Sequence, residues 1–271
     1  SKETVEEFAE LLEDFFAGFL AHVPDDKETF TPEEACAILN EIIEQELPAT
    51  TKFRAVINEQ RENISVDQAN RRIKIPRNRA KGNLTREDMR ALLIGHELGV
   101  HAYRSIAVEG ATIPAMIRGF PDKHGADEGL AMCVEQALRG EYAMSGVCHY
   151  INIGLATFRG MNFREVFEAE RDLKMLLDAR LDETSEEYAT RRKKTENAVF
   201  SDVRRCFRGT GILPNFKDLI YFEGSKRVWQ FIENNLDRSD LLETLFLSGK
   251  TDFLDKSQQG IVYALNVGDF C

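Results

Sequence analysis

The stretch "RALLIGHELGVHAYRS", residues 90–105, decides how this sequence is interpreted. It places His96 and His101 five residues apart, with Glu97 directly after the first histidine. A regular α-helix turns about 100° per residue, so side chains five apart differ by roughly 140° and point away from each other. One extra residue in a turn, a π-bulge, returns them to one face, and Gly99 in the spacer would ease that widening. We therefore predict a helix that departs from regular α geometry between His96 and His101.

The same side chains have the chemistry of a metal site. Helical zinc proteases carry two histidines as ligands and a glutamate between them as the base, with a four-residue step. The residues before His96 are apolar, so His96 and Glu97 lie in a helix that is expected to be buried. Buried polar groups need partners, and a metal ion can supply one. The alternative is that two of the five histidines of the chain lie close by chance. We favour a metal ion bound by His96 and His101.

A catalytic zinc ion takes three protein ligands and keeps one position open. The best candidate for the third ligand lies in "GADEGLAMCVEQAL", residues 125–138, where Glu128 begins an apolar helix. Asp127 is the adjacent alternative, and His124 is a weaker one. Carboxylates are also common in the first turn of a helix because they suit the helix dipole. Only the position of this pair after the two histidines favours a ligand role.

Composition limits the classes of function. The chain has 271 residues, of which 43% are hydrophobic and 30% charged, as in a globular protein with a sizeable core. A net charge of −11 argues against nucleic acid or an anionic membrane surface as a main partner. No apolar run is long enough to span a bilayer. The five scattered cysteines form no CxxC pair, which argues against a disulfide framework or a thiolate zinc site and favours a reducing, cytoplasmic setting.

Hydrophobic periodicity predicts a mostly helical chain with one small sheet. Helices occupy residues 1–48, where Thr31 and Glu34 form a capping box, and a second box at Thr85 and Asp88 begins the helix with the two histidines. Short alternating runs between them predict a small antiparallel sheet over about 52–76. The later helices are expected at 126–139, 142–159, 163–181, 186–206, 217–235 and 239–248. The fold class is α+β, mostly α, as one catalytic domain over 1–271 on which the helices of 1–48 pack.

The motifs together resemble a known family. "HELGVH" (96–101) followed by "DEGLA" (127–131) is similar to the tubulin tyrosine carboxypeptidase family. Its animal members are the microtubule-associated tyrosine carboxypeptidases, and its bacterial members were catalogued by a "QEGLA" motif as flavohaemoglobin expression modulators. "RRCFRG" (204–209) and "FKDLIYFEG" (216–224) also resemble family motifs, so the similarity runs from about 50 to 225. One position departs from the bacterial motif, where Asp127 stands in place of Gln.

The resemblance implies a zincin-like metallopeptidase fold and a specific chemistry. His96, His101 and Glu128 would bind one zinc ion, and Glu97 would be the general base. The reaction would remove one C-terminal residue, preferentially tyrosine or phenylalanine, from a peptide or protein. The competing hypotheses are a zinc endopeptidase or aminopeptidase, and a non-catalytic regulator that keeps a metal or peptide site. An intact Glu97 argues against the regulator, since a structural metal site needs no base.

A carboxypeptidase must also bind a free α-carboxylate, which arginine does best through two parallel hydrogen bonds. The cations of the two later motifs are the candidates, although any of them can equally be a solvated surface cation. These substrate-binding candidates are Arg205, Arg208, Lys217 and Tyr221. A donor to the oxyanion is sought among Tyr221, Tyr103 and His124. An aromatic pocket could use Phe158, Phe163, Phe207 and Phe222, which are otherwise ordinary core residues.

A basic run, "TRRKKTENAVFSDVRR" (190–205), lies on a predicted helix. It could bind an acidic tail, but a run of charges is more often a solvated helix face. The acidic charge of the whole chain disfavours the acidic tail of tubulin as a substrate.

Overall fold

The computed structural model describes residues 1–60, 63–79, 82–110, 116–117, 119, 123–144, 146–209, 211 and 213–260. It is mostly helical with two small sheets, which confirms the predicted α+β, mostly α class. The chain divides into a larger unit, Ser1–Ala143 with Gly224–Cys271, and a smaller unit, Met144–Glu223. The expectation of one domain over 1–271 stays a prediction. No helix in these described ranges is both long and apolar enough to cross a membrane.

The larger unit begins with three helices, α1 (Lys2–Phe15), α2 (Ala17–Ala21) and α3 (Pro32–Glu46). The apolar stripe of α1 is buried in the core through side chains such as Phe8 and Leu12, which are fully buried. This is the face that the helical spacing predicts. The N-terminal helices therefore contribute to the same hydrophobic core as the helix that carries the two histidines.

Both predicted capping boxes are present. At the start of α3, the backbone N–H of Glu34 donates to the Thr31 hydroxyl (3.3 Å), and the N–H of Thr31 donates to the Glu34 carboxylate (2.9 Å). Farther along, the N–H of Asp88 donates to the Thr85 hydroxyl (3.0 Å), and the N–H of Thr85 donates to the Asp88 carboxylate (3.4 Å). Each box satisfies two N–H groups that lack partners within the first helical turn.

Two small sheets precede the helix with the histidines. Their strands are β1 (Thr29–Phe30), β2 (Arg54–Asn58), β3 (Ser65–Asp67), β4 (Arg72–Pro76) and β5 (Leu84–Thr85). Strand β1 pairs antiparallel with β5, while the other sheet has the order β2-β4-β3. The prediction of a wholly antiparallel sheet over 52–76 is wrong, because β2 runs parallel to β4 and only β3 is antiparallel to it. Because β3 and β4 form a hairpin, β2 pairs with the free edge of β4. The chain reverses its direction twice between β2 and β4, so these two strands run parallel.

The helix that follows, α4 (Asp88–Ala102), is wound as a π-helix and continues into a short α-helix, α5 (Tyr103–Ile106). Its widened hydrogen bonding is still visible at its end, where the N–H of Tyr103 donates to the carbonyl of Leu98, five residues earlier. This i→i+5 pattern defines a π-turn. The predicted departure from α geometry between His96 and His101 is confirmed.

Helix α6 (Lys123–Leu138) packs along α4 more extensively than any other helix does. The two helices approach closely at Gly95, where an added Cβ would lie 2.6 Å from a methyl group of Leu138. The larger unit also contains the later part of α10 (Leu219–Glu233) and a short π-helix, α11 (Glu243–Leu247).

The smaller unit contains α7 (Val147–Phe158), α8 (Phe163–Leu177) and α9 (Ser185–Cys206), followed by a 3₁₀ turn at Phe216–Asp218. These helices match three of the predicted segments, although α7 begins five residues later than expected. They enclose a separate small core, which contains Ile153, Val166, Val199, Val203, Cys206 and Phe207.

Candidate metal centre

The structure brings together the three predicted metal ligands, His96, His101 and Glu128. The two imidazole rings lie on one face of α4 with their centroids 5.0 Å apart. Glu128, on α6, places a carboxylate oxygen 3.7 Å from Nε2 of His101. One ligand atom from each residue lies within 4.8 Å of the others, and no second group of this kind occurs among the described residues. Tetrahedral zinc with bonds of about 2.1 Å needs ligand atoms about 3.4 Å apart. A small closure of these side chains would satisfy that geometry.

The orientation of the imidazoles also fits a metal ion. Nδ1 of His96 lies 3.1 Å from the Glu135 carboxylate, and Nδ1 of His101 lies 3.1 Å from the Asp127 carboxylate. With both δ-nitrogens engaged, the ε-nitrogens are the ones left for an ion. Zinc-binding histidines characteristically pair their second ring nitrogen with a carboxylate in this way. The residues present therefore fit zinc.

Asp127 lies behind His101 and is not one of the three grouped ligands. Arg104 donates to one of its oxygens (2.7 Å), and the Lys250 ammonium donates to both (2.8 and 2.9 Å). Burial would raise the pKa of the Asp127 carboxyl, but the charge of Lys250 and the hydrogen bond from His101 hold that pKa well below its usual range. His124, the other alternative to Glu128, is exposed. The geometry thus groups Glu128 with the histidines and leaves out both alternatives.

Glu135 has the corresponding position behind His96. Its carboxylate also accepts a hydrogen bond from Nε of Arg139 (3.2 Å), and Arg139 is itself paired with Asp88 (2.9 Å). Burial would raise the pKa of Glu135, but the hydrogen bond with His96 and the charges of His96 and Arg139 lower it overall. The pKa of His96 is correspondingly raised, because the Glu135 hydrogen bond and the charge of Glu97 outweigh the effect of burial.

Glu135, Lys250 and Arg104 were not among the predicted site residues. A signal for Glu135 is present in the sequence, since it follows Glu128 by seven residues and so lies two helical turns away on the same face. Lys250 has no such local signal, because its partner Asp127 lies 123 residues earlier.

Glu97 is buried, with 6% of its surface exposed, and directly follows His96 in the chain. Within the part of the chain that the structure describes, its carboxylate has no hydrogen bond or salt bridge. A carboxylate without a donor is available to accept a proton from another group.

Three of the four predicted substrate-binding residues form one cluster in the smaller unit. Arg205 donates to both oxygens of Asp218 (3.2 and 3.3 Å), and Arg208 donates to one of them (2.9 Å). The Arg205 guanidinium also lies over the ring of Tyr221, 5.7 Å from its centroid. Asp218 is buried, whereas the two arginine side chains are 41% and 38% exposed. One carboxylate cannot neutralise both cations, so the cluster keeps a positive charge on its exposed side. Lys217 is exposed and is not among the cations paired with Asp218.

Most of the remaining aromatic candidates pack against other aromatic side chains. Tyr103 packs edge-on against Phe15 and Phe19, with centroids 6.1 and 5.8 Å away, and burial raises its pKa. The four phenylalanines proposed for an aromatic pocket do not line one pocket among the described residues. Phe158 is exposed, Phe163 packs on Phe207 within the small core, and Phe222 packs on Tyr150.

Comparison with known proteins gives one match. The family model described as microtubule-associated tyrosine carboxypeptidase matches residues 174–263. No curated protein and no solved structure matches the chain. The match confirms the family resemblance drawn from the sequence. It covers less than half of the chain and lies outside the metal motif, so the geometry of the metal centre and the family match are separate observations.

Proposed function

From this family match, we propose that the chain is a zinc-dependent carboxypeptidase that removes a C-terminal tyrosine or phenylalanine from peptides or proteins. The observation that carries the proposal is the convergence of His96, His101 and Glu128, with the buried Glu97 beside them. The preference for tyrosine rests on the family description, and its extension to phenylalanine rests on the motif resemblance alone. One zinc ion, a zincin-like arrangement and a cytoplasmic setting are parts of the same proposal.

The residues of the centre divide the chemistry between them. His96 and His101 present their ε-nitrogens, and Glu128 supplies the third ligand. When bound, zinc lowers the pKa of a coordinated water and polarises the scissile carbonyl. Glu97 accepts a proton from the attacking water and passes it to the leaving amine. A peptide bond requires both transfers, and one buried carboxylate can perform them in turn.

We assign recognition of the substrate's α-carboxylate to Arg205 and Arg208, with Lys217 and Tyr221 as further contributors. Support comes from the way Asp218 holds both guanidinium groups while leaving part of each exposed. Arginines held in this way bind carboxylates bidentately with little further loss of side-chain freedom.

The proposal is tested with two peptides that end in tyrosine and differ only in their C-terminus, which is a free acid in one and an amide in the other. We expect the zinc-loaded chain to cleave the free acid roughly 30- to 1000-fold more efficiently, since the amide leaves a cation unpaired. Arg205→Ala and Arg208→Ala should reduce cleavage of the free acid and leave the amide unchanged. Arg192→Ala, which removes an exposed arginine paired with Glu196, is the matched control.

Mass spectrometry of the products separates the competing functions. Release of a single C-terminal residue from the free acid alone supports the carboxypeptidase. Equal cleavage of both peptides at an internal bond would identify an endopeptidase, and release of N-terminal residues an aminopeptidase. Zinc binding without any product would identify a regulator.

A further inference from the structure

We infer that Asp127 and Glu135 are the positioning residues of the metal centre, each fixing one ligand histidine with its ε-nitrogen free for the ion. The inference rests on the proposed zinc centre, but it assigns a role to two side chains that neither bind the ion nor react.

The contact between His96 and Glu135 determines which ring nitrogen carries the proton. An ionised carboxylate only accepts hydrogen bonds, so Nδ1 of His96 must be the donor across the 3.1 Å contact. In the neutral imidazole, Nε2 then carries the lone pair. Both side chains are largely buried, at 12% and 18% exposed, so water competes little for this bond. Arg139 holds the Glu135 carboxylate on the side away from His96 through a second hydrogen bond.

His101 contacts Asp127 in the same way, and here two buried cations hold the carboxylate. Arg104 and Lys250 are both fully buried and both donate to Asp127, which holds that carboxylate in place. Lys250 also donates to the carbonyl of Val100, next to His101 in the chain (3.2 Å). The carboxylate is therefore fixed relative to the backbone that carries the histidine.

A single helix supplies both positioning residues together with the third ligand. Asp127, Glu128 and Glu135 all lie on α6, which packs closely along α4. Because α4 holds both histidines, the whole centre depends on the relative placement of two helices. Such outer carboxylates orient the ring and raise its basicity, and their loss typically costs about 10- to 100-fold in metal affinity.

The test uses the full chain and measures Zn²⁺ affinity by competition with a chromophoric chelator. We expect Glu135→Gln and Asp127→Asn each to bind Zn²⁺ about 10- to 100-fold more weakly than the unchanged chain. Glu87→Gln is the matched control for the first, because Glu87 pairs with the same Arg139 and contacts no histidine within the described ranges. Asp252→Asn is the control for the second, since it removes a carboxylate near Arg104 that does not contact His101. Both controls should bind Zn²⁺ as the unchanged chain does.

A second measurement reports the tautomer directly. In the metal-free chain at alkaline pH, ¹⁵N spectra of the histidine side chains should show His96 and His101 with the proton on Nδ1. In Glu135→Gln, the His96 signal should shift towards a mixture of tautomers, whereas a merely structural role for Glu135 would leave it unchanged.

The outcomes separate this inference from the proposed function. If the unchanged chain binds no Zn²⁺, the metal centre and the proposed function both fail. If it binds Zn²⁺ and both folded variants bind equally tightly, only the inference is overturned. If Asp127→Asn does not fold, the double variant Asp127→Asn/Lys250→Met removes Asp127 together with its buried lysine partner. Unchanged affinity in that variant would overturn the role of Asp127, and Glu135→Gln decides the role of Glu135 independently.

Discussion

At the scale of single residues, Glu97 is the side chain whose replacement should change the chemistry without changing the fold. It is buried and directly follows His96, yet no described residue donates a hydrogen bond to its carboxylate. We expect Glu97→Gln to keep the fold and one zinc ion per chain while turnover falls by at least about 100-fold, because the amide cannot accept the proton of the attacking water. Metal analysis and a peptide assay on the same sample measure both effects.

The exposed Glu141 offers a control for this change, since Glu141→Gln alters the same charge without affecting the centre. Near-normal turnover in Glu97→Gln would remove Glu97 from the mechanism. Loss of zinc from that variant would instead give Glu97 a ligand role.

Glu128→Ala tests the third ligand. We expect Zn²⁺ affinity to fall by more than about 100-fold, the upper end for loss of an outer carboxylate, because a direct ligand is removed. Asp127 cannot easily replace it, since Arg104 and Lys250 already hold both of its oxygens. A zinc titration monitored by calorimetry measures the change. Full-strength binding in the variant would transfer the ligand role to Asp127 or His124.

The sequence predicts the proposed ligands better than it predicts the residues that hold them in place. His96, His101 and Glu128 are close to one another in the sequence and carry recognisable spacing, so a local pattern is enough to find them. Lys250 lies 123 residues after Asp127 and reaches it only when the chain between them has folded, and a buried lysine has no distinctive pattern around it. Its position depends on tertiary packing, which a local pattern does not encode.

At the scale of helices and strands, the five-residue step between the histidines correctly predicted a π-wound α4. Gly99 has a further reason to be small, because an added Cβ would lie 2.7 Å from the ring of Phe16. The directions of the strands were not predictable in the same way. Alternating residues indicate which side chains share a face, but they do not indicate whether β2 pairs parallel or antiparallel with β4.

Gly129 tests the close approach between α6 and α10. An added Cβ there would lie 2.5 Å from the carbonyl oxygen of Gly224, and a backbone atom cannot move aside as a side chain can. We expect Gly129→Ala to lower the free energy of unfolding by roughly 1–3 kcal/mol, as overpacked sites generally do. Zn²⁺ affinity should fall with it, because Glu128 is the preceding residue. Chemical denaturation of the metal-free chain measures the first effect.

Gly125→Ala is a control on the same helix. An added Cβ at Gly125 meets no atom within 4 Å, so alanine should be neutral or stabilise the chain through its better helix propensity. Equal stability of the two variants would contradict the close approach of the helices.

At the scale of the whole molecule, the later part of the matched segment lies in the larger unit, together with the metal motif. The family match covers 174–263 and does not include the histidines or Glu128. Two of its residues nevertheless contact the residues on either side of Glu128. Gly224 packs against Gly129, and Lys250 binds Asp127. The part of the chain that carries the family match therefore takes part in building the centre that carries the proposed chemistry.

Lys250→Met tests how much the contact between Lys250 and Asp127 contributes to the free energy of unfolding. Lys250 is 1% exposed, and its removal leaves the buried Asp127 with Arg104 as its remaining cation. Breaking a buried ion pair from one side typically costs 3–5 kcal/mol, and the remaining arginine places our expectation near the low end, at about 3 kcal/mol. Urea unfolding of the metal-free chain gives the value without any contribution from bound zinc. The exposed Lys226 provides the control, since Lys226→Met should change stability by less than about 0.5 kcal/mol.

A double-variant cycle shows whether the cost comes from the unpaired charge. If it does, the double variant Lys250→Met/Asp127→Asn should lose less stability than the two single variants added together, because the ion pair they share is lost only once. If the two changes simply add, Lys250 stabilises the chain through its packing and its bond to the Val100 carbonyl rather than through Asp127. A Lys250→Met chain as stable as the unchanged one would show that the matched segment does not depend on this buried pair for its attachment to α4 and α6.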